Sequence, residues 1–211
     1  MELLCIPMGY LIGTVNPSYI IAKIRGEDIR KKGSGNAGAS NALIIYGKLI
    51  GVFCALFDIF KSFFAIRLAE FFFPTSALVF SMTGVSCILG HVFPFYMGFK
   101  GGKGVACLGG MILAYDWLVF LIMLASEIVL VLASGYICLM SISASIVFPF
   151  IYGILSRNIW GGIVLLISGV VITWKHRENV RRIGKGTEMR ISMLWNKEKE
   201  IERVQHNGQE K

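Results

Sequence analysis

Charge is scarce in this chain. Only 16% of its 211 residues are Asp, Glu, Lys or Arg, against about a quarter in soluble domains. Acidic residues are the scarcer kind, 13 against 21 Lys and Arg, which excludes an acidic, solvated or disordered tail protein. Proline is rare, at 5, so long helices can run unbroken. The five cysteines, Cys5, Cys54, Cys87, Cys107 and Cys138, fall mostly inside apolar runs. Neither CxxC nor a Cys/His pair at ligand spacing occurs, so they read as packed thiols, with no metal site and no disulfide framework. A nucleophile elbow, an internal repeat and a low-complexity linker are also missing. One structural unit is expected.

Hydrophobic residues make up 55% of the chain and mean hydropathy is +0.66. A single small core cannot hide that much apolar surface, whereas helices crossing about 30 Å of hydrocarbon need it. The fold class is therefore all-α, a polytopic integral membrane protein. Apolar runs mark seven spans, at about 2–22, 49–73, 76–97, 104–115, 117–134, 137–153 and 158–174. The fourth is short enough to be tilted or half-embedded. The first lacks a basic leader and a convincing cleavage site, so it reads as a span and not a signal peptide. Lys and Arg gather in 23–48, 98–103 and the tail from Lys175, while the turns near Pro74, Asp116 and Asn158 hold almost none apart from Arg157. The positive-inside bias then puts the N-terminus outside and the C-terminus in the cytoplasm. Much of the net charge of +8 is accounted for by topology and attraction to anionic lipid. Residues 194–211 read as a polar cytoplasmic tail.

Three polar stretches stand out. In Asp28–Lys48, "DIRKKGSGNAGASNALIIYGK", the GxGxxG at Gly33–Gly38 is not a dinucleotide fingerprint, because no buried strand precedes it. Its small residues still let backbone N–H groups approach an anion, and Ser34, Asn36, Ser40 and Asn41 add neutral donors. Close helix packing through the same small residues is the alternative. In Gly90–Ala106, "GHVFPFYMGFKGGKGVA", glycines flank Lys100 and Lys103. Walker A spacing fails, since Met97 stands where the first Gly belongs and Gly104 follows the lysine. What remains is a backbone cradle with point charges, suited to phosphate. His91 there reads as a packing histidine. In Trp174–Ile191, "WKHRENVRRIGKGTEMRI", His176, Asn179 and Arg182 fall three apart and share a helical face. Glu188 is placed to pair with an arginine. An interfacial basic helix is the alternative. Inside the bilayer, Asp58 and Lys61 are spaced to neutralise each other. Ser141 is a polar residue near the start of a span.

Taken in order, "NPSYIIAKIRGEDIRKKGSGNAGASN", "DIFK", "GHVFPFYMGFKGGKGVA" and "HRENVRRIGKGTE" resemble the bacterial acyl-phosphate:glycerol-3-phosphate acyltransferase family (PlsY-type) over nearly the whole chain. The resemblance implies a seven-span acyltransferase domain over 1–193 in the bacterial cell membrane, with its active-site loops facing the cytoplasm. It implies transfer of a fatty acyl group from acyl phosphate to the 1-hydroxyl of glycerol 3-phosphate, giving lysophosphatidate for phospholipid synthesis. No cofactor and no nucleic acid are implied; the partners are the two substrates and membrane lipid. By motif position, Lys103, Asn179, His176 and Ser34 are the catalytic candidates. Asn36, Gly38, Ser40, Asn41, Gly101, Gly102, Gly104, Ser141 and Glu188 are the substrate-binding ones. An acyl phosphate is already an activated anhydride, so positioning and charge stabilisation suffice without a protein nucleophile. A substrate phosphate is then the expected proton acceptor.

The chain departs from the family pattern at four places. Ile44 and Ile45 stand where an arginine usually follows "SNAL". Gly135-Tyr136 replaces Arg-Tyr, Cys138 replaces a serine, and Ser62 replaces a glycine. A lost Arg–phosphate contact is worth roughly 1.5–3 kcal/mol. The departures leave a non-catalytic lipid- or phosphate-binding paralogue as the alternative reading. A transporter of a phosphorylated solute ranks lower, since inverted repeats are missing.

Overall fold

The computed structural model describes residues 2–194, 196, 199–200 and 202–204. The expected tail at 194–211 lies largely outside these residues. The described chain is helical, with no strand. Ten helices follow in order: α1 (Cys5–Thr14), α2 (Pro17–Ile24), α3 (Ala39–Tyr46), α4 (Lys48–Phe72), α5 (Val79–Val92), α6 (Val105–Tyr115), α7 (Trp117–Ser134), α8 (Ile137–Leu155), α9 (Ile159–Lys175) and α10 (Arg177–Gly184).

Among them α4, α5 with its 3₁₀ extension to Met97, α7 and α8 are long and apolar enough to cross a membrane. Two bent pairs also qualify when joined: residues 2–14 with α2, bent by 40°, and α9 with α10, bent by 46°. The apolar α6, at 11 residues, is shorter than a span. The first bend has a local cause. Asn16 caps α2 by accepting the Tyr19 N–H at 2.9 Å, and Pro17 takes the first helical position, where its missing N–H costs nothing.

Lipid solvates apolar side chains as well as a neighbour does, so helices here associate through close backbone approach. Any side chain on Gly13 would meet the Cys87 backbone, and one on Gly90 the Tyr10 carbonyl, which is how α1 lies along α5. A side chain on Gly110 would collide with the Ile59 carbonyl where α6 crosses α4. The main core gathers Ile66, Ile88, Leu108, Met111, Phe148 and Leu165. Outward, Phe53, Phe57, Phe60 and Phe64 of α4 are exposed on one lipid-facing stripe. All five cysteines are free and buried.

The bundle has two unlike ends. At one, Asn158 donates to the Ala77 carbonyl (2.5 Å) and ties the α8–α9 turn to the start of α5. At the other, the 25–41 loop, the 93–104 loop, the α7–α8 turn and α10 converge.

Candidate functional site

Backbone geometry makes the 93–104 loop. Phe99 (φ 59) follows Gly98 (φ 62) in the left-handed region, a strained setting for a phenylalanine. The chain then doubles back. The Gly101 N–H donates to the Val92 carbonyl (3.0 Å) and the Gly102 N–H to that of His91 (3.1 Å), which closes the end of α5. Only glycine fits at both places. A Cβ at 101 would run into the His91 carbonyl, and one at 102 into the His91 imidazole at Nε2. Gly104 (φ 86) is the N-cap of α6. Two amides of the expected cradle are therefore already engaged. The N–H groups of Lys103, Gly104, Val105 and Ala106 meet no acceptor among the described residues. They form the positive end of an 11-residue helix.

The imidazole beneath Gly102 cannot easily give way. His91 Nδ1 lies 3.0 Å from Lys61 Nζ and 3.4 Å from Asp58 Oδ1. Lys61 Nζ is 2.6 Å from that carboxylate and donates to the Val15 carbonyl at 2.7 Å. The Asp58–Lys61 pairing expected from spacing is present, with His91 as a third member. Asp58, His91 and Cys107 could form a metal ligand set by proximity, with ligand atoms within 4.8 Å of one another. The Lys61 ammonium already supplies the positive charge beside Asp58 and His91.

Lys103, half-buried, starts a polar chain that crosses to the last helix. Its Nζ donates to Asn179 Oδ1 (2.5 Å), Asn179 Nδ2 donates to Glu188 Oε1 (2.6 Å), and Arg182 Nε donates to Glu188 Oε2 (2.6 Å). The arginine partner expected for Glu188 is thus Arg182. Asn179 and Glu188 are buried. Burial, chiefly, and then the nearby Arg182 push the Lys103 pKa down; Lys175 adds to this and Glu188 opposes it. Arg182 pairs with Glu188, and Lys103, which feels both Arg182 and Lys175, adds further positive charge, a field that favours an anion.

His176 sits at the α9–α10 bend, 3% exposed. Its Nδ1 lies 2.8 Å from the Ile172 carbonyl. A carbonyl only accepts, so Nδ1 carries the proton and Nε2 offers a lone pair. Burial, aided by the charges of Lys103 and Lys175, lowers its pKa to about 4, which keeps it neutral. Ser141 is buried one turn along α8 from Cys138.

The 25–41 loop behaves differently. Asn41, fully buried, spends its amide inside the loop. It donates toward the carbonyls of Ile29 (3.1 Å), Lys32 (3.0 Å) and Asn36 (2.9 Å), and accepts the Ser34 N–H at 2.8 Å. Asn41 shapes the loop. The Ser34 and Ser40 residues are exposed, and Gly38 is the N-cap of α3. A Cβ on Gly38 would meet Asn36 Nδ2, so the Asn36 amide lies across it.

Two contributors lie outside the sequence-derived set. Asn16 donates to the Ala37 carbonyl (2.8 Å) and hangs the loop on the α1–α2 break; the Asn-Pro pair was the available signal. Arg30 donates to the Met97 carbonyl (2.6 Å) and so joins the two loops, with Asp28 at 2.8 Å as its counter-ion. That contact holds the Asp28 carboxyl down at about 2.

Comparison with known proteins shows the family. The model of the family described as glycerol-3-phosphate acyltransferase matches residues 3–186. A "glycerol-3-phosphate acyltransferase" of Thermotoga petrophila is 38% identical over 188 residues, covering 89% of this chain and 95% of that one. One from Aquifex aeolicus is 36% identical over 185 residues, covering 86% and 95%. Among solved structures, the glycerol 3-phosphate form of PlsY (YgiH), an integral membrane glycerol 3-phosphate acyltransferase, superposes with a TM-score of 0.84. It is 33% identical over 92% of this chain and 96% of that one. The lysophosphatidic acid form of the same protein gives 0.81.

Proposed function

The chain belongs to the glycerol-3-phosphate acyltransferase family, and from that membership we infer how its own residues acylate glycerol 3-phosphate. It is a membrane acyltransferase acting on that acceptor. The donor is an acyl phosphate, a long apolar chain ending in a doubly charged head. Two adjoining apolar grooves of about 470 and 420 Å³, open to the outside of the bundle, run along α8 and α9 and share Leu166. They extend from Arg157 at one end of the bundle to Trp174 at the other, two residues before His176. An acyl chain lying there brings its anhydride carbonyl to the polar chain at Lys103.

The head phosphate takes the unpaired amides from Lys103 to Ala106 and the Lys103 ammonium. Gly101 and Gly102 hold that loop in shape by capping α5. Glycerol 3-phosphate sits against Ser34, Asn36 and Ser40 on one side and Ser141, His176 and Asn179 on the other. Its 1-hydroxyl attacks the acyl carbonyl carbon, the carbonyl–oxygen bond to phosphate breaks, and lysophosphatidate and inorganic phosphate leave. His176 Nε2 accepts the hydroxyl hydrogen bond and aims the oxygen. With a pKa of about 4 it is too weakly basic to keep the proton at neutral pH, which passes to the leaving phosphate. Lys103 gains as negative charge builds on that phosphate.

The observation carrying this reading is the Lys103–Asn179–Glu188–Arg182 chain beside a neutral, buried His176. The basic loops sit on the cytoplasmic face of the bacterial cell membrane, where both phosphorylated substrates are soluble or reachable. The test is direct: purified protein, acyl phosphate and radiolabelled glycerol 3-phosphate, with extraction of labelled lysophosphatidate. No product from well-folded protein makes the non-catalytic binding reading the correct one.

A further inference from the structure

The family match ends at residue 186, yet the chain beyond it is built into the site. Residues 187–192 return across the bundle end, where the Ile191 N–H donates to the Gly135 carbonyl (2.8 Å). The Arg190 guanidinium lies over the Tyr136 ring at 5.5 Å. That return is fixed from further along. Glu200, 5% exposed, accepts the Arg190 N–H (2.8 Å) and the Ser192 hydroxyl (3.0 Å). Arg203 donates to Glu200 (2.6 Å), to the Gly186 carbonyl (2.6 Å) and to the Glu188 carbonyl (2.6 Å).

Glu188 is therefore held twice. Its side chain grips Asn179 and Arg182, while its own carbonyl is gripped by Arg203. A buried carboxylate and a forked guanidinium are costly to order in an exposed tail, and here Glu200 and Arg203 together hold residues 186–192 by four hydrogen bonds, beside the Ile191–Gly135 bond. The Arg203 contact also holds the Glu200 carboxyl at about 2, so the clamp stays ionised through the working pH range.

We propose that Glu200 and Arg203 are positioning residues for acyl transfer: they fix the 186–192 backbone so that Glu188 holds Asn179 against Lys103. This rests on the transfer reading above. The clamp touches no substrate and acts through Glu188.

The experiment uses the full chain with Arg203→Ala, Glu188→Gln, the double variant and Arg203→Lys. Two readouts are taken, transfer kinetics and the rate at which an amine-acylating reagent modifies Lys103, followed by peptide mass spectrometry. Misplacement of a catalytic group by about 1 Å costs up to about 100-fold, so Arg203→Ala should lower kcat/KM about tenfold or more. It should also speed Lys103 modification, with Tm nearly unchanged. Adding Arg203→Ala to Glu188→Gln should change kcat/KM by no more than about twofold, because the shared path is already cut. Arg203→Lys keeps the ion pair but cannot bridge two carbonyls, so it should fall between. Equal losses in both backgrounds, or unchanged Lys103 reactivity in Arg203→Ala, overturn the proposal. A wild-type protein without turnover refutes the transfer reading instead, and Lys103 reactivity still decides the clamp.

Discussion

Replacing Gly102 by alanine adds one methyl group at the most constrained point of the site. The new Cβ would overlap His91 Nε2, and His91 is braced at 3.0 Å by Lys61 and at 3.4 Å by Asp58. Moving that ring disturbs a buried ion pair, whereas Gly101 and Gly102 are held by backbone hydrogen bonds to Val92 and His91. The loop therefore moves, by about 1 Å, and carries the adjacent Lys103 with it. A shift on that scale costs about 100-fold in rate, or about 2.7 kcal/mol of barrier. Gly102→Ala should lower kcat/KM by that factor while Tm changes little. Gly109→Ala is the control, because its Cβ meets only Phe120 and Ile59 at ordinary distances of 3.8 and 3.9 Å; it should stay active. A His91→Ala/Gly102→Ala double variant should lose less than the two single losses combined. Wild-type kcat/KM in folded Gly102→Ala would refute the steric argument.

Lys103→Ala should lower turnover about 100- to 1,000-fold without unfolding the protein, and wild-type turnover would remove it from the mechanism. Ile44 is 42% exposed on α3, so Ile44→Arg has room to reach a phosphate. It should lower the acceptor KM about tenfold or more with a smaller change in kcat; an unchanged KM means that another cation serves there. His176 is held at about 4, below its ordinary 6.5. The unfolded chain then binds the proton first as pH falls. Stability is unaffected above about 6.5 and declines toward 4 by about 1.4 kcal/mol per unit. His176→Asn should flatten the dependence of Tm on pH in that window, and an equally steep curve would contradict the assignment. Cysteines placed at Lys31, Lys100 and Lys185 should label from one side of the membrane and one at Asp116 from the other; labelling of position 100 from outside would undo the shared face.

Apolar run length carried much of the fold. The runs read at 117–134 and 137–153 meet α7 and α8 almost residue for residue, because a bilayer imposes length and composition together. Pairings within one helix turn were legible too, as with Asp58 and Lys61. What stayed hidden were choices between partners distant in sequence. Asn41 has the look of a substrate donor, but three loop carbonyls claim its amide. Gly101 and Gly102 read as a cradle, yet their amides close α5 and their missing side chains make room for His91. Arg30, Glu200 and Arg203 had no local pattern to mark them, since their partners lie across the fold.

The break between α1 and α2 has a consequence for how the protein holds together in lipid. In an unbroken helix the Tyr19 N–H would serve the Val15 carbonyl; here it goes to Asn16 Oδ1 instead. The Val15 oxygen is left without a helical donor until Lys61 of α4 reaches it. Lys61, for its part, needs that oxygen as well as Asp58 to sit inside the bilayer. The α1–α2 break thus carries an open acceptor that Lys61 of α4 fills. Each offsets the other's cost in lipid, so loss of Lys61 should weaken the α1–α2 break as well as α4.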